Sequence, residues 1–369
     1  MIGASFSASF KILSSNNAPR VGYSVRRESH LTFFTAMTLA LLAGMMNGSF
    51  AVPMKYSSGW LWENTWLAWS FLGLLVFPAA LTSARVPNAL GIYAAAPVAT
   101  LFALVAFGAG WGVSQVLFGL GIERLGVAVA FAIVVGLAAA VGTLIPLVFL
   151  QGGRAWGVSA LFVIACVAAV SAGVAICARA GSKKSSLVDS KVTARSNRHS
   201  GILLCVLAGI GGAMVNLGLA FSGPLRNKAA FVPSLDRTNL VWLPLLAAGF
   251  ASTAVYCCRR LSRNGAWKLF AEQGASTPWL LSLLMAVLWL GSVELYGVAA
   301  GSLGGWGPVL GWPVFLSASI VTANVWGLLT GEWKKAPVSA RHLMWLGIAV
   351  TVVAIFLAAL AGRGVFGQG

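Results

Sequence analysis

The chain has 369 residues, of which 59% are hydrophobic and only 9% charged, with a formal net charge of +17. Soluble domains carry about 25% charged residues, so an ordinary water-soluble fold is excluded. The basic residues lie in short loops between apolar runs and form no single basic face, which excludes a nucleic-acid partner and fits loop charges that orient a chain in a bilayer.

Residues 1–30, MIGASFSASFKILSSNNAPRVGYSVRRESH, are Ser-rich and contain one acid, Glu28. They lack the short apolar core and small-residue cleavage site of a secretory signal. They read as a disordered tail or a start set too far upstream, with an organelle-targeting segment as the other option. From residue 31 onward, apolar runs recur at about the 20-residue length that crosses the hydrocarbon layer as a helix. The sequence predicts ten spans: 31–53, 65–82, 97–120, 126–150, 157–178, 200–222, 238–257, 278–300, 304–329 and 341–361. A basic central loop, 179–199, separates a first five-helix repeat, 31–178, from a second, 200–361, and a short tail follows at 362–369.

The two halves resemble each other. A shift of 178 residues lays Trp111 on Trp289, Ser114 on Ser292, Phe118 on Tyr296, Gly119 on Gly297 and Gly126 on Gly304. At another shift, Leu42-Ala43-Gly44 matches Leu207-Ala208-Gly209. Five spans is an odd number, so the second half must insert upside down. The expected fold is therefore an all-α polytopic membrane protein, ten transmembrane helices as a 5+5 inverted repeat, a construction shared by many secondary transporters. Lys and Arg concentrate in the loops after odd-numbered spans, which places the central loop in the cytoplasm and both termini outside.

Few residues offer chemistry. His30, His199 and His342 fall outside the spans or at an edge, and no metal-binding pattern or nucleophile elbow is present. The sequence calls for no metal, no cofactor and no catalytic set. The five cysteines lie in or beside apolar runs and read as packing residues. Trp60, Trp62, Trp66, Trp267 and Trp333 lie near span ends, where an interfacial belt accounts for them. Of the eight acids, only Glu294 lies deep in a span. Ionisable groups at such depth mark ion or substrate paths, and Gly291, Gly297 and Gly301 put Glu294 on a face that another helix approaches closely. Gln115 shares a face with Gly108, Gly112 and Gly119, bordered by Trp111. Asn47 follows Gly44 and adjoins Gly48. In the ninth span, Pro308 and Pro313 interrupt the helix, and Ser317 and Asn324 lie seven residues apart. These features predict a central polar cavity in which Asn47, Gln115, Ser317 and Asn324 offer donors and acceptors to a hydroxyl-rich substrate. Trp111, Trp289 and Trp312 give apolar faces for a sugar ring, and Glu294 couples transport to a proton. The competing account is that the amides only join helices.

The segment FGAGWGVSQVLFGLGIERLGVAVAFAIVVGLAAAVGTLIPL, residues 107–147, resembles the L-rhamnose–proton symporter family of the drug/metabolite transporter superfamily. The telling features are WG, then FGL, an R-LG turn, and a small-residue helix ending in VGTL-P. AVPMKY at 51–56, GWLWENTW at 59–66 and GEWKKA at 331–336 add to the likeness, which runs from about Ser29 to the end and is looser in the second half. The resemblance implies a ten-helix permease in the cytoplasmic membrane of a bacterium that imports a 6-deoxyhexose with a proton, its N-terminus outward. It supplies no substrate residues, so the site set rests on the residue reading. The alternatives are a permease of the same superfamily for another sugar or metabolite, or an exporter. A membrane enzyme lacks its nucleophile or metal cluster, and a sensor or scaffold lacks a soluble domain. Oligomeric state is not encoded in any feature of the sequence.

Overall fold

The computed structural model describes residues 32–152, 157–185, 198–233 and 236–366. The expected tail at 1–30 and most of the central loop lie outside the described residues. Among those described, ten helical segments are long and apolar enough to span a bilayer. They are α1 (Phe33–Tyr56), α2 (Trp62–Arg85), α3 (Val98–Leu125), α4 (Val129–Gln151), α5 (Val158–Lys184), α6 (His199–Lys228), α7 (Asn239–Asn264), α8 (Ser276–Ser302), α9 (Gly304–Leu329) and α10 (Val338–Phe366). The count matches the sequence reading. Several helices run past the apolar windows, since backbone hydrogen bonding continues where hydropathy falls.

Local sequence explains the ends and breaks. The Thr32 hydroxyl caps α1 by accepting from the Thr35 amide at 3.2 Å, one of the donors that a helix start leaves unpaired. Gly126, at φ +80°, turns the chain between α3 and α4 in a conformation that other residues rarely adopt. In α2 the helix widens into a π turn over Phe71–Val76, directly before Pro78; the wider turn accommodates a residue that has no amide proton to give. α6 breaks at Ala213 and again after Ala220. A short helix, Ala89–Ala95, that the hydropathy pattern does not reveal joins α2 to α3.

Glycines set the helix contacts. A Cβ at Gly44 would strike the Phe315 carbonyl and Ala318 on α9, and one at Gly209 would strike Leu137 and Val134 on α4. Gly108 and Gly112 lie against Leu245 and Gly249 of α7. Gly173 and Gly347 bring α5 and α10 together, each lying against the other's carbonyl oxygen. α1 packs on α8 and α9, whereas α6 packs on α3 and α4; α4 packs on α5 as α9 packs on α10. α8 and α9 are the most enclosed by protein together with α6.

The outer surface is apolar. Leu90, Val98, Phe102, Leu161, Val255 and Leu329 are each at least 67% exposed. Water would penalise such a surface, and hydrocarbon would not. The five cysteines are all free, and Cys166, Cys205 and Cys257 are buried as packing residues.

Candidate substrate and proton site

α3 and α8 meet at their tryptophans. The rings of Trp111 and Trp289 stack with centroids 5.4 Å apart and 29° between their planes. Each helix makes the same local contact beside its ring: Ser114 donates to the Trp111 carbonyl and Ser292 to the Trp289 carbonyl, both at 2.6 Å. Bending the hydroxyl back onto its own helix satisfies it without a partner from another span. Gln115 borders this pair, its amide 3.5 Å from Ser114 Oγ. Trp69 of α2 stands edge-on to Trp289 at 5.7 Å and 86°. It continues through Trp66, 4.7 Å away, to Trp62, 5.1 Å beyond. Trp62 and Trp66, expected in an interfacial belt, thus form the outer end of an aromatic column that reaches the bundle interior. Trp333, expected there too, is buried beneath the Lys184 ammonium, 5.0 Å from its ring.

Glu294 lies five residues after Trp289 on α8. Its Oε1 is buried and without a hydrogen-bond partner. Gly291 lies against Met46 of α1, and Gly297 lies against Trp242 and Thr238 at the start of α7, so both glycines admit close neighbours on either side of the carboxylate. Gly301 has no heavy atom within 4 Å of where a Cβ would stand. Trp242 is fully buried, and its indole nitrogen is also unpaired.

The remaining residues of the expected set occupy several settings. Asn47 donates to Ser319 Oγ at 3.2 Å, joining α1 to α9. Ser317 is fully buried with an unpaired hydroxyl. Asn324 is half-buried and donates to the Ile320 carbonyl one turn back in its own helix, at 2.8 Å. Trp312 donates to the Ala138 carbonyl on α4 at 3.0 Å, and it stacks on Phe315. Its ring is therefore held by the packing, and its N–H is committed.

A junction that the sequence reading does not identify joins four helices. Pro146 interrupts α4 and cannot donate to the Gly142 carbonyl four residues earlier. Asn216, fully buried in the middle piece of α6, donates to that carbonyl at 2.7 Å and to the Pro308 carbonyl of α9 at 3.1 Å. Its own carbonyl accepts from the Tyr296 hydroxyl of α8. α7 repeats the device: Pro244 frees the Leu240 carbonyl, which accepts from the Tyr93 hydroxyl at 3.1 Å. Proline-freed carbonyls at depth are tolerated where another group satisfies them. An amide inside MVNLGLA is the same kind of signal as Asn47, and could have been read the same way.

Ten apolar spans, with a carboxylate, amides and indole faces held inside the bundle, define a polytopic helical membrane protein of the permease kind. The family model described as L-rhamnose-proton symport protein (RhaT) matches residues 33–366, and the chain belongs to that family. The family is one of transporters and not of enzymes. The chain is similar to the L-rhamnose-proton symporter of Klebsiella pneumoniae subsp. pneumoniae, 25% identical over 330 residues that cover 85% of this chain and 94% of the relative. The symporters of Escherichia coli O1:K1 / APEC and Salmonella gallinarum are each 24% identical over the same shares.

Proposed function

We propose that the chain imports L-rhamnose or a related 6-deoxyhexose together with a proton, across the cytoplasmic membrane of a bacterium, by alternating access. The observation that carries this reading is the buried, unpaired carboxylate oxygen of Glu294, five residues along α8 from the Trp289 that stacks on Trp111, in a chain of this family. The carboxylate takes a proton from the outer side, which removes the penalty of a buried charge. Indole faces take the apolar side of the sugar ring. Asn47, Gln115, Ser317 and Asn324 meet hydroxyls, and Trp312 contributes only its ring face. The proton then leaves Glu294 toward the cytoplasm as the sugar does.

The two five-span halves act as an inverted repeat. Support comes from matched packing: α1 lies on α8 and α9 as α6 lies on α3 and α4, and Ser114 and Ser292 repeat one contact. Rocking of such halves around a midplane site is how inverted repeats alternate access. The basic loops after odd-numbered spans favour a cytoplasmic central loop and outward termini.

Uptake of labelled L-rhamnose into proteoliposomes, with and without an inward proton gradient, tests this reading. Accumulation that requires the gradient is expected. Glu294→Gln should abolish gradient-driven accumulation while leaving sugar exchange measurable. Accumulation that persists unchanged in Glu294→Gln would remove the carboxylate from the mechanism.

A further inference from the structure

A groove on the outside of the bundle lies where α2 of the first half meets α7 and α8 of the second. It encloses about 380 Å³, room on the scale of a small-ligand pocket, about 300–1,000 Å³. Its walls are apolar. Phe71 of α2 and Phe250 of α7 line it, their ring centroids 5.9 Å apart. Phe270, from the turn between α7 and α8, and Trp279 of α8 line it too, 5.6 Å apart. Ala68 and Ala254 contribute only methyl groups, which leaves the room. Phe71 and Trp279 are 42% and 38% exposed, so the groove opens onto the apolar outer surface.

The end of the groove at Phe270 and Trp279 is fixed in place. Trp279 donates to the Phe270 carbonyl at 3.1 Å, and Trp60 donates to the Leu269 carbonyl at 2.9 Å. The Trp60 ring stands edge-on to Phe270 and to Trp279, at 5.0 and 5.2 Å. Rings held in this way do not close the gap. An unfilled apolar gap forfeits dispersion contacts along its walls, and without polar groups it does not hold water. A hydrocarbon chain matches both its chemistry and its surroundings.

The same end of the groove carries charge. Cys258 lines the groove, and Arg259, Arg260 and Arg263 follow it in the last turns of α7. All three arginines are exposed, and among the described residues none pairs with a carboxylate. Lys268, two residues before Phe270, lies 3.9 Å from Glu272, and Glu63 accepts from Asn264. Trp267, 46% exposed, donates to Ser262 Oγ at 3.1 Å. Indoles of this kind lie at the headgroup level of a bilayer. Basic residues at that level, beside a gap between spans, suit a phosphate headgroup.

We propose that this groove binds one anionic diacyl phospholipid, with an acyl chain among Phe71, Phe250 and Trp279 and its phosphate at the arginines that end α7. Such a lipid touches α2 and α7 at once and so bridges the two halves of the chain. The site does not depend on which solute the protein carries.

The test uses the full chain in phosphatidylcholine vesicles that contain increasing shares of phosphatidylglycerol. Bromine atoms are placed on the acyl chains of one lipid or the other, and quenching of tryptophan fluorescence reports the lipid in contact. Each Lys or Arg near an anionic headgroup strengthens association about fivefold. Half-maximal quenching is therefore expected at a mole fraction at least about fivefold lower for brominated phosphatidylglycerol than for brominated phosphatidylcholine. Ala254→Leu, which fills the groove, should remove this selective component. Arg259→Gln with Arg260→Gln, both exposed positions, should raise the phosphatidylglycerol fraction toward that of phosphatidylcholine. Should Ala254→Leu fail to fold, Cys258→Leu narrows the groove from its half-buried edge and carries the same expectation. Equal quenching by the two lipids in the native protein would overturn the proposal. Selectivity that survives both the filled groove and the arginine changes would do the same. Displacement of brominated phosphatidylglycerol by inorganic phosphate alone would show an anion site that needs no chain, and would also overturn it.

Discussion

Replacing Asn216 with Leu keeps the branched shape and removes every hydrogen bond at the four-helix junction. Three bonds are lost: those to the Gly142 and Pro308 carbonyls and that from the Tyr296 hydroxyl. Side-chain bonds between helices in a bilayer average about 0.6 kcal/mol and reach about 1.7 kcal/mol. The expected destabilisation is therefore about 2 kcal/mol, with an upper bound of about 5 kcal/mol. The Gly142 carbonyl gives the sharper test, because Pro146 leaves it without a backbone donor. Pro146→Ala restores an amide proton four residues on, so the helix itself can satisfy Gly142 when Asn216 is gone. Equilibrium unfolding in mixed micelles, followed for the two single variants and the double variant, measures the coupling. Pro146→Ala should recover about one bond of the three in the Asn216→Leu background and less in the native one, a coupling of about 0.5–1 kcal/mol. Strict additivity, or an Asn216→Leu protein as stable as the native one, would refute the capping argument.

Gly108→Ala should destabilise by about 1–3 kcal/mol, because its Cβ would run into the Leu245 carbonyl, which is backbone and cannot swing aside. Gly119→Ala, with nothing within 4 Å, should be neutral or slightly stabilising in the same unfolding assay. At the face carrying the central loop, Glu332 bonds to Lys55 and lies 3.5 Å from Lys184. Burial pushes its carboxyl up, but the hydrogen bond and charge of Lys55 and the charge of Lys184 outweigh it and hold the group below its ordinary 4.5. A lowered native value means stability that is present above pH 4.5 and lost as pH falls through the native value. Glu332→Gln should flatten the acid limb of the stability–pH curve below 4.5, and added salt should shrink the native protein's own dependence, since the pair is about 40% exposed.

The ten spans were readable because hydrocarbon imposes one rule, a long apolar helix, whose signature is local. Their ends were less so. α2 begins at Trp62 rather than 65, because Glu63 and Asn64 are polar yet buried: Asn64 donates to the Ala266 carbonyl at 2.9 Å and Asn264 donates to Glu63. α7 runs on to Asn264 through Arg259 and Arg260, which hydropathy counts as loop. Glu294 and Asn47 stood out as polar residues in apolar runs. Trp242 and Trp69 did not, because an indole counts as apolar until its unpaired nitrogen is seen in three dimensions. Asn216 carried the right local signal, but its partners lie 74, 80 and 92 residues away, and only the folded chain brings a proline-freed carbonyl to meet it.

The stacked indoles of Trp111 and Trp289 have an optical consequence. Two such chromophores 5.4 Å apart couple electronically, and the coupling depends on both their separation and their mutual angle. One ring rides on α3 and the other on α8, so any displacement of one helix against the other rewrites the near-ultraviolet circular dichroism of the unlabelled protein. The molecule thus carries its own spectroscopic ruler, and comparing the spectrum with that of Trp111→Phe isolates the pair's signal from the other indoles.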